Sequence, residues 1–453
     1  MKRIFILITT LFSCSLVFSQ DITGSWNGVL DYGAGTLRIV FHIEEKNGVY
    51  TTLMDSPDQG AKDLKTTNTI LKKKSLTINI AKLFAVFEGK VKKSSIEGTF
   101  TQNGMTFPMI LNRGTIETTR PQDPKPPYPY NSEDIYFENK EAGIMLAGTF
   151  TYPKEGTNFP VAVLITGSGG ENRNEEIYNH RPFLVLADYL TRQGIAILRY
   201  DDRGIGESKG IYHTATIQDF STDALAAVNY LKTRKEINPN QIGLIGHSEG
   251  GSIAFIASAD NKNIAFIISM AGVAIKGDSL TKLQRAAILP KMGLSEEDIE
   301  KNEELLRQIN VLAEKYSADS IFNYPEKFVD EIIPADMKNN TTARNSYKKA
   351  LIEVTSPEMY SLNSYDPKED FQKIQCPVFA INGEKDLQVL PDVNLENFEK
   401  HLSVKVTTKK YPGLNHLFQH AQTGLMDEYS KIEESISEEV LEDIAKWIKL
   451  VTK

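Results

Sequence analysis

Cysteine and tryptophan are scarce, with two of each among 453 residues. Cys14 and Cys376 cannot build a disulfide framework, so an apolar core must hold the fold. A basic excess is missing too. Lys and Arg number 51 against 59 Asp and Glu, a formal charge of −8. That balance offers nucleic acid no basic footprint. Internal repeats and low-complexity tracts are absent. The apolar run at Ile4–Phe12 is shorter than the ~20 residues that span a bilayer, so no membrane span is expected. What remains is ordinary globular make-up, 41% hydrophobic and 24% charged. It excludes collagen, coiled coil and overall disorder. At about 150 residues per domain the length predicts two or three domains.

Residues 1–19 read as a signal peptide. A cationic Met1-Lys2-Arg3 precedes the apolar run, and Val17-Phe18-Ser19 offers a small residue before a cut. The expected location is therefore periplasmic or secreted. Leu11-Phe12-Ser13-Cys14 also loosely matches a lipoprotein box, with Cys14 as the acylated residue and a lipid anchor as the consequence, although Phe12 fits it poorly. Cys376, ahead of Pro377-Val378-Phe379, reads as a buried strand-edge thiol.

Residues 20–113 carry the period of two. Leu37, Ile39, Phe41 and Ile43 alternate with Arg38, Val40, His42 and Glu44, and Leu76, Ile78 and Ile80 repeat the pattern. Asn47-Gly48 and Asn103-Gly104 are hairpin-turn signals, because both residue types tolerate positive φ. A small all-β barrel or sandwich is predicted. Residues 114–134 form a linker, with five prolines in nine residues between Pro121 and Pro129.

Residues 135–453 change rhythm. Val161–Ile165 is a continuous apolar run, as a strand buried on both faces requires. Phe183, Leu184, Ala187 and Leu190 follow at helical spacing, then strands at Ile195–Arg199, Ile242–Ile245 and Ile264–Met270. Strands alternating with helices predict βαβ units and a doubly wound, mostly parallel α/β sheet. Residues of about 275–368 are charged and helical and lie between two strands, so they read as an inserted lid. Its Leu305, Leu306, Ile309 and Leu312 read as lid core rather than as an acyl pocket. The sheet resumes at Cys376–Ile381 and Val404–Lys410, and Ser437–Leu450 is a closing helix.

Gly246-His247-Ser248-Glu249-Gly250 lies between such a strand and a helix. A serine on that sharp turn is presented as a nucleophile, and small residues two positions to each side relieve the crowding. A serine hydroxyl needs a base, and in a Ser, acid, His order the base comes late. His416 is the candidate, with His420 as the fallback; His401 falls inside a helix. The acid should follow the Val378–Ile381 strand. Asp386 is the candidate, with Glu384 and Asp392 as alternatives. His416 and His420 have metal-like spacing, but the glutamate of H-E-x-x-H and a third ligand are missing, so no metal is expected. An oxyanion needs fixed N–H donors. Glu249 should supply one, and Thr166-Gly-Ser-Gly-Gly170 the other, from Ser168 or next from Gly169. Gly204-Ile-Gly-Glu-Ser-Lys-Gly210 misses the dinucleotide fingerprint by one place and follows Asp201-Asp202-Arg203, so it reads as a supporting loop, not an NAD site. Arg173 reads as a salt-bridge partner before a substrate-carboxylate binder.

Three segments carry a family resemblance: Gly167-Ser-Gly-Gly-Glu-Asn-Arg-Asn174, Arg199-Tyr-Asp-Asp-Arg-Gly-Ile-Gly-Glu-Ser208 and Gly246–Gly250. Residues 135–453 resemble an α/β-hydrolase of the secreted or periplasmic bacterial carboxylesterase branch, with a helical cap and a preceding β domain. The resemblance implies a catalytic Ser248, Asp386 and His416, an oxyanion hole at Ser168 and Glu249, short-chain acyl esters as substrates, and no cofactor. Many members begin the oxyanion loop His-Gly, whereas Thr166-Gly167 stands here. The rival functions are a serine peptidase on the same fold and a catalytically silent binding protein.

Overall fold

Alternating side chains and two Asn-Gly turns dominate the first unit of the structure. In this computed structural model, residues 21–32, 36–59, 61–115 and 120–453 are described. The expected signal peptide, with Cys14, lies outside the described residues. The chain divides into two units at Thr118–Thr119.

The first unit has nine strands: β1 Gly24–Asp31, β2 Thr36–Lys46, β3 Val49–Ser56, β4 Ala61–Lys65, β5 Asn68–Lys72, β6 Ser75–Ile80, β7 Ala85–Val91, β8 Ser95–Gln102 and β9 Met105–Arg113. They form one antiparallel sheet in the order β4-β3-β2-β1-β9-β8-β7-β6-β5. The sheet curls into a barrel-like shape, since Thr52 on β3 and Thr69 on β5 share a hydrogen bond of 2.6 Å. Ile39, Phe41, Ile43, Leu76, Ile78, Phe87 and Trp26 fill its core. Asn47-Gly48 and Asn103-Gly104 take the positive φ values that tight hairpins require.

The second unit holds an eight-stranded sheet. Its strands are β10 Asn131–Asn139, β11 Ile144–Tyr152, β12 Phe159–Ile165, β13 Ala196–Tyr200, β14 Ile237–His247, β15 Phe266–Met270, β16 Val378–Gly383 and β17 Val406–Tyr411. They run in the order β10-β11-β13-β12-β14-β15-β16-β17. The strands from β13 to β17 pair in parallel, and the β10–β11 hairpin joins antiparallel through β11 and β13. Helices α1 Pro182–Arg192, α2 Ile217–Leu231 and α3 Glu249–Ser258 follow successive parallel strands. The α1 helix packs Phe183, Leu186 and Leu190 on one face of the sheet, while α2 and α3 pack Ala224, Ile253 and Phe255 on the other.

The predicted lid is present as α4 Gly277–Ile288, α5 Glu296–Tyr316, α6 Ala318–Asn323, α7 Val329–Ile332, α8 Thr341–Thr355, α9 Pro357–Ser364 and α10 Lys368–Phe371. Ile309, Leu312, Ile321 and Leu351 give it a core of its own. Then α11 Pro391–His401 and α12 Glu438–Val451 complete the unit. The architecture is a doubly wound α/β sheet with a helical insertion. Among the described residues no helix is long and apolar enough to cross a membrane.

The proline-rich stretch is fastened to the second unit. Arg120 donates to the carbonyls of Tyr178 and Ile432, each at 2.9 Å. Gln122 accepts from the Ser435 N–H at 2.6 Å, and the Tyr130 hydroxyl donates to Asp188 at 2.8 Å. Proline removes backbone donors, so side chains make these ties.

Candidate active site

The β14 strand ends at His247 and α3 begins at Glu249, so the intervening Ser248 must turn the chain. It does so at φ 54°, ψ −118°, a conformation costly for a residue with a Cβ and held only by its surroundings. Two glycines make the turn possible. A Cβ on Gly246 would run into the Gly250 carbonyl, and a Cβ on Gly250 into the carbonyls of Ile165 and Thr166. Ser248 stays partly exposed while its neighbours are buried.

His416 lies in the loop after β17, and Asp386 in the loop after β16. The parallel register of these strands places both loops at the end of the sheet where β14 delivers Ser248. His416 Nδ1–H donates to Asp386 Oδ2 at 2.7 Å, and both side chains are buried. Asp386 Oδ1 accepts the N–H groups of Gln388 and Val389 at 2.8 and 2.9 Å, which fixes the carboxylate. With Nδ1 donating, Nε2 of His416 is left as the acceptor nitrogen. The alternatives point elsewhere. Glu384 accepts the Gly413 N–H at 2.9 Å, Asp392 pairs with Lys410 at 2.6 Å, and the exposed His420 pairs with Glu434 at 2.8 Å.

The loop after β12 passes beside Ser248, and a Cβ on Gly167 would lie 3.4 Å from the Ser248 Cβ. Gly167 N–H donates to Glu175 at 3.2 Å, and Gly169 N–H to Glu358 of α9 at 2.9 Å. Ser168 stands between them. Below the loop, Asp202 accepts from the Thr166 hydroxyl and the Glu171 N–H, each at 2.8 Å, and Asp201 from Arg173 N–H at 2.8 Å. The Asp201–Ser208 segment therefore braces this loop. Arg173 is a salt-bridge residue, with Asp201 at 2.7 Å and Glu207 at 3.0 Å.

One pair was not anticipated. His247 Nδ1 lies 2.8 Å from Glu175 Oε1, and its Nε2 lies 3.0 Å from the His416 carbonyl oxygen. A carbonyl can only accept, so both ring nitrogens face acceptors and the ring is suited to the imidazolium form. Burial alone would depress its pKa, but the charge and hydrogen bond of Glu175 outweigh that and raise it. The His247 and His416 rings are 4.7 Å apart. Glu175 thus ties the glycine loop, the serine turn and the His416 loop together. The available signal was the histidine beside the serine in Gly246–Gly250, a polar residue at the buried end of a strand.

Glu249 is buried, and neither carboxylate oxygen has a hydrogen-bond partner. Burial raises its pKa well above the usual range, and the nearby charges of Glu358 and Asp202 add to this. Burial likewise pushes Asp202 up to about 7. Protonated acids are therefore favoured beneath the loop. Among the described residues, no three His, Cys, Asp or Glu side chains gather as a metal site.

A mostly parallel sheet, a serine on a strained strand-to-helix turn and an inserted helical lid define an α/β-hydrolase. Residues 180–421 match the family Hydrolase_4, serine aminopeptidase S33, and the chain belongs to it. Esterase EstD of Thermotoga maritima is 26% identical over 316 residues, covering 69% of this chain and 68% of that protein. Among solved structures, α/β hydrolase GrgF from Penicillium sp. sh18 is 19% identical with a TM-score of 0.46, covering 71% of this chain and 98% of its own. Est1E from Butyrivibrio proteoclasticus, solved with ferulic acid, is 19% identical with a TM-score of 0.42, covering 70% and 97%.

Proposed function

We propose that this hydrolase is a serine carboxylesterase acting on short-chain acyl esters. The observation that carries the reading is the buried 2.7 Å bond between His416 Nδ1 and Asp386 Oδ2, in a loop tied through His247 to the Ser248 turn. In this reading His416 Nε2 takes the Ser248 proton as Oγ attacks the ester carbonyl. The N–H groups of Glu249 and Ser168 hold the oxyanion. The engagement of the Gly169 N–H by Glu358 favours Ser168 over Gly169. Asp386 steadies the imidazolium, which then protonates the leaving alcohol. Water, activated by the same histidine, releases the acid from the acyl-enzyme. The esterase name of the EstD relative supports an ester substrate.

The aminopeptidase description of the family supports a second reading, amide hydrolysis through the same acyl-enzyme. A fluorophosphonate probe with peptide mapping, run beside p-nitrophenyl acetate, p-nitrophenyl butyrate and aminoacyl p-nitroanilides, separates them. Probe on Ser248 and faster ester turnover are expected. Faster anilide turnover transfers the protein to the peptidase reading. Purified, folded protein that neither reacts with the probe nor turns over any substrate leaves the silent binding protein.

A further inference from the structure

Arg199 on β13 is only 4% exposed. Its Nη1 donates to the side-chain oxygen of Asn174, and its Nε has no partner. No carboxylate pairs with it among the described residues. Asp134, whose charge Arg199 feels, is bonded instead to Arg173 and Thr149. A buried charge without a counter-charge is expensive, and folded proteins rarely keep one. Burial pulls this guanidinium down to about 10, so it stays charged at neutral pH.

Arg199 lines a cavity of about 450 Å³, within the size range of small-molecule sites. The cavity lies on the face of the sheet that carries α1. On that face β11 presents Thr149 and Thr151, while Phe150 between them enters the core of the opposite face. Both hydroxyls are engaged within the protein, Thr149 by Asp134 and Arg173 and Thr151 by Thr191 of α1, and they give the cavity a polar wall. Tyr128 and Tyr130, from the fastened proline-rich stretch, also line it, their rings stacked at 5.2 Å and 2°. Arg173 shares the cavity, but Asp201, Glu207 and Asp134 already neutralise it. Arg199 is the cavity's cation that no carboxylate contacts among the described residues.

We propose that this cavity is a binding site for a small organic carboxylate, its anionic end on Arg199 and its apolar part against Tyr128 and Tyr130. A carboxylate matches the guanidinium edge of Arg199 that is left without a partner. Asp134 and Asp201 line the same cavity and oppose each added negative charge, so a doubly charged phosphate is penalised more than a carboxylate. The site is separate from the Ser248 turn and does not depend on the esterase reading.

Calorimetric titration of the full chain in low-chloride buffer with sodium benzoate, sodium acetate and sodium phosphate tests it. The expected result is one benzoate per chain, with phosphate at least about tenfold weaker. Arg199→Met, and Ser132→Tyr, which fills the cavity from β10, should each weaken benzoate by at least about tenfold. Ser248→Ala should leave it unchanged, which separates this cavity from acid bound at the serine. If Arg199→Met does not fold, Ser132→Tyr decides. No benzoate binding by the wild type, tighter phosphate, or benzoate binding that both folded variants retain overturns the assignment.

Discussion

The Nε2 of His247 lies 3.0 Å from the backbone carbonyl oxygen of His416, so the residue before the serine holds the loop that carries the histidine. The other ring nitrogen is held by Glu175. Position, rather than proton transfer, is what this pair supplies.

Glu175→Gln should therefore lower kcat by about 10- to 100-fold, the scale of a misplacement near 1 Å, with little change in KM. The pH profile separates this from a packing defect. Glu175 raises the folded pKa of His247 above its ordinary 6.5. The stability of the pair is then fully present below pH 6.5 and is lost as pH rises through the raised value. In Glu175→Gln that loss should move to lower pH, as should the alkaline limb of activity, and Glu175→Asp should restore part of both. Denaturation midpoints and rates from pH 5 to 9 check it.

Asp386→Asn should leave the circular dichroism unchanged and cut kcat for p-nitrophenyl butyrate by about 10⁴-fold, because the histidine loses its fixed tautomer. Ser248→Ala should lose at least as much. A variant that keeps wild-type turnover removes its residue from the mechanism.

Gly250→Ala places a methyl against the carbonyls of Ile165 and Thr166. Neither is the end of a flexible side chain. A loss of about 1–3 kcal/mol is expected from such overpacking, with activity falling further because the glycine loop and serine turn are forced apart. Urea titration and ester assays on the same preparation measure both.

Glu249→Gln keeps the backbone N–H and removes a buried acid. The folded pKa of Glu249 is raised, so its contribution is fully present below pH 4.5 and is lost as pH climbs through the folded value. The variant should melt above the wild type at pH 8, and the gap should close near pH 4.5. A gap independent of pH contradicts this.

Much of the site was legible in the sequence because its constraints are local. Gly246 and Gly250 announce a turn that only small residues fit. Strand ends at Ile381 and Lys410 bracket where an acid and a base can arrive. The Asn47-Gly48 and Asn103-Gly104 hairpins are equally local. The β10–β11 hairpin was not read, since its polar members Ser132, Asp134, Thr149 and Thr151 face a cavity and blur the alternation. Glu175 was hidden for another reason. It meets His247 across 72 residues, a separation set by the order of β12, β13 and β14, and a lone acid in a loop carries no local mark of that partner. The ties of Arg120 and Gln122 are long-range in the same sense.

The helical insertion leaves the sheet after β15 and returns at β16, and these two strands are direct neighbours in the pairing order. The two strands are parallel, so the insertion leaves at one end of the sheet and re-enters at the other, and its helices α5 to α8 form a module with a core of their own. Evolution can lengthen, shorten or exchange that module without disturbing a single ladder of the scaffold beneath, so substrate preference can drift while the reaction chemistry stays put.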